Sequence, residues 1–280
     1  MSGSDGAAAA IGQCRHYVHD AESPSLIWGN ARQFTLRPVL GGPDVAAPLD
    51  DLLGQWRDHL AGIAQAQDED SSAIVRWPSR DLEGIRVLQR HGLSSQSVTA
   101  ARITSSRLGE SVTPPPADVS IRAAGPADAD LVAELSLELA RYEAHFGNLR
   151  LRPWTEQVLR KEAAQLLAGP EPWAWLAERD GEPVGMLTAN GPEGAASLGR
   201  LVRLTPAAYL GETFVRSDER GSGAATRLIE ELNLAARAAG VAVTLLDYGQ
   251  VNPLSGPFWS RQGYRPLWTT WEARPAWTLR

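Results

Sequence analysis

Three consecutive prolines, Pro114 to Pro116, lie in a polar stretch between Leu108 and Val119, and neither a helix nor a central strand can run through them. Each fixes φ and removes an N–H donor, so the stretch acts as a stiff spacer. It cuts the 280 residues into parts of roughly 110 and 160, both ordinary domain sizes. The expected division is a disordered tail at 1–10, a first domain at 11–107, a linker at 108–118 and a second domain at 119–280. The opening MSGSDGAAAA lacks the basic and apolar regions of a signal peptide and reads as a frayed tail.

Composition removes several classes of function. A formal net charge of −6 gives no basic face for a nucleic-acid partner, and no apolar run is long enough to span a bilayer. Cys14 is the sole cysteine, which excludes an internal disulfide framework and fits a reducing cytoplasm. It reads as a small, semi-buried residue rather than a nucleophile. His16, His19, His59, His91 and His145 are not joined by Cys or carboxylate groups at metal-ligand spacing, so no metal is expected. Ten tryptophans are many for this length, and most belong in cores or domain interfaces.

The second half carries the clearer periodicity. Val119–Arg122 reads as a strand. Pro126–Phe146 reads as a helix, with Leu131, Val132, Leu135, Leu139 and Tyr142 at helical spacing. Thr155–Ala168 repeats that pattern up to a Gly169–Pro170 stop. Trp173–Glu178 and Pro183–Ala189 flank Asp180–Gly181, a hairpin signal. Strands follow at Tyr209–Val215 and Val241–Tyr248, separated by a helix at Thr226–Ala239. A short helix at Pro253–Gln262 leads to two last strands, in Tyr264–Thr270 and near Trp277. This order predicts an α/β fold with a mixed, mostly antiparallel sheet flanked by helices. In the first half, Asp50–Ala66 reads as a helix through Leu52, Leu53, Trp56, Leu60 and Ile63, followed by a strand at Ser72–Trp77, a helix at Asp81–His91 and a strand at Ser97–Thr104. Asp81–Leu93 has the length and punctuation of Asn252–Tyr264, both ending Arg-x-Gly-apolar. It reads as one diverged internal repeat, the alternative being two unrelated glycine-capped helices.

The turn after Val215 is where chemistry enters. Gly221 and Gly223 open a helix whose first N–H groups have no intrahelical partner and whose dipole adds partial positive charge. Glycines let a bulky anion approach those groups. No Lys-Ser/Thr follows, so this is not a P-loop, and the spacing is not Gly-x-Gly-x-x-Gly. Alone, the turn also reads as a plain tight connection.

Its surroundings sharpen it. The stretch resembles the GNAT superfamily of N-acetyltransferases, whose Arg/Gln-x-x-Gly-x-Gly/Ala signature is matched by Arg220, Gly223 and Ala225. Tyr209–Val215 resembles the family's fourth strand, and Asn252 with the short helix after it resembles the segment that follows its fifth. Val119–Glu143, with Glu138-Leu-Ala-Arg-Tyr-Glu143, resembles the opening of diamine acetyltransferase-like members. The resemblance covers about residues 119–275. It implies acetyl-CoA as co-substrate, held by Arg220, Gly221, Ser222, Gly223, Ala224 and Ala225 at the pyrophosphate. Phe214, Val215, Asn252 and Trp259 would lie along the pantetheine arm, and a backbone N–H near Val215 would stabilise the oxyanion. It further implies direct transfer to a primary amine of a small molecule or peptide.

Glu212, the acid on that strand, is the candidate base; its alternative reading is an exposed strand carboxylate. Regular alternation puts it opposite Val215, and a bulge could re-aim it. Trp259 stands where the family usually has a proton-donating Tyr, and an indole does not serve as an acid. Tyr264 is the substitute considered first, with Tyr248 and water as others. A non-catalytic acyl-CoA-binding sensor is the alternative function. The first half resembles the end of the same fold without its turn: Gly41–Pro48 includes prolines where N–H donors would be needed. It is expected to be a degenerate copy that holds no coenzyme A. A homodimer, or a pseudo-dimer within the chain, fits that reading.

Overall fold

The computed structural model describes residues 10–64, 67–106, 118–147 and 149–280. The expected tail, apart from Ala10, and the expected linker, apart from Asp118, lie outside the described residues. In chain order the elements are β1 (Ala10–Val18), β2 (Arg32–Leu40), α1 (Ala46–Ile63), β3 (Ser71–Pro78), α2 (Leu82–Arg90), β4 (Ser94–Ile103), β5 (Val119–Ala123), α3 (Ala129–Ala144), α4 (Thr155–Leu167), β6 (Trp173–Arg179), β7 (Glu182–Asn190), β8 (Ala207–Val215), α5 (Ala224–Ala238), β9 (Val243–Gly249), α6 (Ser255–Arg261) and β10 (Arg265–Ala273). They form two compact units. One gathers residues up to Thr99 with Gly249–Val251 and Pro266–Arg280; the other holds Ala100–Tyr248 and Asn252–Arg265. Residues 266–280, which follow the Pro run in sequence, thus belong to the first unit.

In the first unit the strand order is β1-β2-β3-β10-β4. β2 and β3 are parallel from Arg32↔Ser71 to Leu36↔Val75, while β1 with β2 and β10 with β3 are antiparallel. Leu49, Leu53, Trp56 and Leu60 of α1 pack on Phe34, Leu36, Val75 and Trp271. Their spacing follows the helical period. The helix starts earlier than expected, and Ile63, read as part of its buried stripe, is its last residue and is exposed. β1 and β2 carried no sequence assignment. β1 is exposed along almost its whole length, so it has no apolar alternation to read. Cys14 lies on this edge strand and is exposed rather than semi-buried. The strand expected near Trp277 is a 3-10 turn, Ala276–Thr278. Pro275, which precedes it, has no N–H to extend a ladder.

The second unit has the order β4-β9-β8-β7-β6-β5, with β5 to β8 antiparallel and β8 parallel to β9. Asp180 and Gly181 both have positive φ at the β6–β7 turn, as the Asp-Gly signal predicts. Neighbouring residues of β7 separate the two faces. Met186 packs with Leu135 and Val132 of α3 and Ala163 of α4, and Leu187 packs with Leu228 and Leu232 of α5. Helices therefore cover both faces of this sheet.

Asp81–Leu93 and Asn252–Tyr264 each open on a side-chain acceptor and share the geometry of their C-terminal ends. Asp81 Oδ1 accepts from Gly84 N (3.1 Å), and Asn252 Oδ1 accepts from Leu254 N (3.0 Å). At the other end Leu93 N donates to Leu88 O (3.1 Å), and Tyr264 N to Trp259 O (3.0 Å). Gly92 and Gly263 supply the left-handed residue each cap requires, at φ 81° and 86°. The matched C-terminal caps support one repeated unit over two unrelated helices; the N-terminal ends differ, since Asp81 is the N-cap of α2 while Asn252 stands two residues before the N-cap of α6, Leu254. Asp81→Ala removes the α2 cap, so we expect a loss of about 1 kcal/mol in urea denaturation.

Candidate active site

The site is built where β8 leaves its neighbours. β8 pairs with β9 from Ala207↔Val243 to Leu210↔Leu246, and the pairing stops there. Beyond it, β8 continues through Gly211–Val215 and β9 through Asp247–Gly249. At the same level the β7–β8 register shifts: Ala189 faces Leu210 while Thr188 faces Glu212. Gly211 is the extra residue of this bulge. From Glu212 to Val215 the alternation is regular, and Phe214 joins the core under α3 and α4 while Val215 packs on the α5 side. Glu212 accordingly lies on the α3/α4 face, opposite Val215. The bulge places it there, level with the point where the strands part.

Glu212 is anchored at both ends. Its N–H donates to Thr188 Oγ1 (3.2 Å), and Oε2 accepts from the Ser136 hydroxyl of α3 (2.5 Å). It is not an exposed strand carboxylate. Burial pushes its pKa up, the Ser136 hydrogen bond acts the other way, and the charge of Glu162 on α4 pushes it up further. Burial also raises the pKa of Glu162.

Val215 offers a donor on the other side. Arg216 N–H goes to Val184 O of β7 (3.0 Å). Successive residues of a paired strand turn their N–H groups to opposite edges, so that of Val215 points to the β9 side, where no ladder continues. The Phe214 side chain is buried, 7% exposed, on the face opposite Val215.

The turn Arg220–Ala225 then opens α5. Gly221 and Gly223 both have φ near 86°, and Gly223 is the N-cap. The first helical bond runs from Arg227 N to Gly223 O, so the N–H groups of residues 224 to 226 precede the ladder. Ser222 Oγ accepts from Ala224 N at 3.3 Å. No acidic residue stands in the first turn, which leaves the positive end of the helix dipole uncompensated. The Arg220 guanidinium lies over the Tyr142 ring, 4.3 Å from its centre, and Arg216 reaches Glu134 (3.2 Å) and Glu138 (3.4 Å). Both arginines thus tie the turn to α3. These features fit an anionic diphosphate.

Other expected site residues have structural partners. Asn252 is buried, and its Nδ2 donates to Glu143 Oε1 at 2.6 Å. Trp259 and Tyr264 pack edge-on with ring centres 5.5 Å apart, 8% and 1% exposed, in the core beneath α5. Burial raises the Tyr264 phenol well above its ordinary pKa. Tyr248, at the parted end of β9, is half-buried, and its pKa is also raised by burial. Its Oη comes within 3.9 Å of where a Gly256 side chain would begin. Sequence reasoning did not single out Ser136, Thr188, Tyr142 or Glu143 as site residues. Ser136 had one legible signal, a hydroxyl on the apolar face of α3.

Residues 140–264 match the model of the acetyltransferase (GNAT) family. Among solved structures, a GCN5-related N-acetyltransferase from Sphaerobacter thermophilus is 16% identical with a TM-score of 0.61, over 96% of this chain and 78% of its own. A GNAT-family acetyltransferase from Colwellia psychrerythraea is 13% identical with a TM-score of 0.55, over 85% of this chain and 76% of its own. The GNAT fold thus extends over nearly the whole chain, and the first unit is a smaller, degenerate version of it. No curated protein sequence matches the chain. Among the described residues no helix is long and apolar enough to cross a membrane, and no group of three or more His, Cys, Asp or Glu is placed to hold a metal.

Proposed function

We propose that the second unit transfers an acetyl group from acetyl-CoA directly to a primary amine of a small molecule or peptide. The observation that carries this is the pairing of two groups on one short strand: the anchored carboxyl of Glu212 at the bulge, and the Val215 N–H turned into the gap beside it. When bound, acetyl-CoA supplies a thioester carbonyl for the amine to attack. The turn at Arg220–Ala225 holds the diphosphate through backbone N–H groups. Glu212 takes the proton that an ammonium must lose before it can attack, and burial, by raising its pKa, makes it a stronger base than an ordinary carboxylate. The Val215 N–H is a preorganised donor for developing negative charge.

For the thiolate's proton we assign Tyr248 in place of Tyr264. Tyr264 is enclosed in the core, whereas Tyr248 stands where β9 has parted from β8. Tyr248→Phe is expected to lower kcat by about tenfold or more with coenzyme A binding unchanged.

The first unit is assigned no cofactor site in this reading. At the start of α1, Asp44 Oδ1 accepts from Ala46 N (3.0 Å), which puts a carboxylate where a phosphate would sit. The test of the whole reading is release of free thiol from acetyl-CoA over a panel of diamines, aminoglycosides and peptides with free N-termini. Amine-dependent release is the expected result. Tight coenzyme A binding with no release would favour an acyl-CoA sensor instead.

A further inference from the structure

We propose that Ser136 is a positioning residue for Glu212: its hydroxyl holds the carboxylate in the orientation and charge state in which it accepts a proton from the incoming amine. This rests on the reading of Glu212 as the base.

Ser136 is out of character with its surroundings. It is 5% exposed on a face of α3 that otherwise buries Val132, Ala133, Leu135 and Ala140. A hydroxyl in such a place costs free energy unless it is bonded, and alanine would fill the position without that cost. Serines inside helices commonly bond the carbonyl one turn back. This one reaches across to β8 and donates to Glu212 Oε2 at 2.5 Å, with Met186 Sδ, a weak acceptor, at 3.9 Å.

Thr188 completes the arrangement. It is 8% exposed and accepts the Glu212 N–H directly after the Gly211 bulge. Two hydroxyls from two elements therefore fix one residue, Thr188 its backbone and Ser136 its carboxyl. From α4, Glu162 presents a like charge that disfavours ionisation of Glu212. The nearby Arg216 is engaged with Glu134 and Glu138 of α3. Burial and Glu162 both favour the protonated acid, and the Ser136 hydrogen bond opposes them. In the step itself an N–H bond of the ammonium breaks, the proton passes to a Glu212 carboxyl oxygen, and Ser136 keeps its own.

The test is Ser136→Ala, with Ser136→Thr as the variant that retains a hydroxyl. The carboxyl 13C resonance of Glu212, assigned by its loss in Glu212→Gln, is titrated in each protein without substrate. The pH profile of kcat is measured with the best amine of the panel. We expect the Glu212 midpoint in Ser136→Ala to move to higher pH. The acidic limb of the profile should follow it, and kcat near pH 7 should fall by about tenfold. KM for acetyl-CoA should not change, the deficit should shrink as pH rises, and Ser136→Thr should restore most of it. A role in packing alone would move neither the midpoint nor the limb. If both stay in place in Ser136→Ala while Glu212→Gln abolishes activity, the inference on Ser136 is overturned and the base reading stands. If Glu212→Gln retains both activity and acidic limb, the base reading falls and the inference falls with it.

Discussion

Glu212→Gln should lower kcat by about a hundredfold while leaving coenzyme A binding intact, the size of effect expected when a general base is removed. The amide keeps the shape of the carboxyl and can still accept from Ser136, so the site is not emptied. What is lost is proton affinity. Stability gives an independent check. The folded-state pKa of Glu212 lies above its unfolded value, so its contribution is complete at low pH and is lost as pH rises through the folded value. Near neutral pH the variant should therefore be no less stable than the parent. A thermal midpoint that holds or rises while kcat collapses separates lost chemistry from lost fold. A midpoint that falls with the activity would assign Glu212 to structure.

We expect coenzyme A to raise the thermal midpoint of the parent protein and Gly223→Val to abolish that rise. Gly223 is the N-cap of α5 at φ 86°, a conformation that costs an L-residue roughly 1–2 kcal/mol. A branched side chain there also stands beside the N–H groups that precede the helical ladder. A ligand raises apparent stability by RT ln(1 + [L]/Kd), so the shift disappears once Kd exceeds the ligand concentration used. The variant by itself should lose stability of the order of that backbone strain and still fold. Persistence of the full shift in Gly223→Val would move the cofactor site away from this turn.

The second half was legible because its elements obey simple rules. Leu228 and Leu232 repeat at helical spacing, Asp180–Gly181 makes the turn its residue types demand, and Gly223 takes the left-handed conformation that only glycine adopts freely. Less was legible where tertiary context decides. β1 is an edge strand exposed on both faces, and no periodicity betrays it. Trp259 and Tyr264 were read as site residues from their place in a motif. Their counterparts in the repeat, Leu88 and Leu93, are core residues, and so are they. Glu212 was found from its strand, but its partners Ser136 and Thr188 were not. A hydrogen bond between residues 76 positions apart leaves no trace in local pattern. The bulge at Gly211 was likewise invisible, since it exists only as a slip against β7.

The composition of the two units bears on how such a chain can change over time. The first unit closes with Pro266–Arg280, and the second opens with Ala100. A break at the prolines would strand both pieces, leaving the last strand without the unit it completes and removing the first residues of the other. The first unit is therefore not a cassette that a break at the prolines can discard.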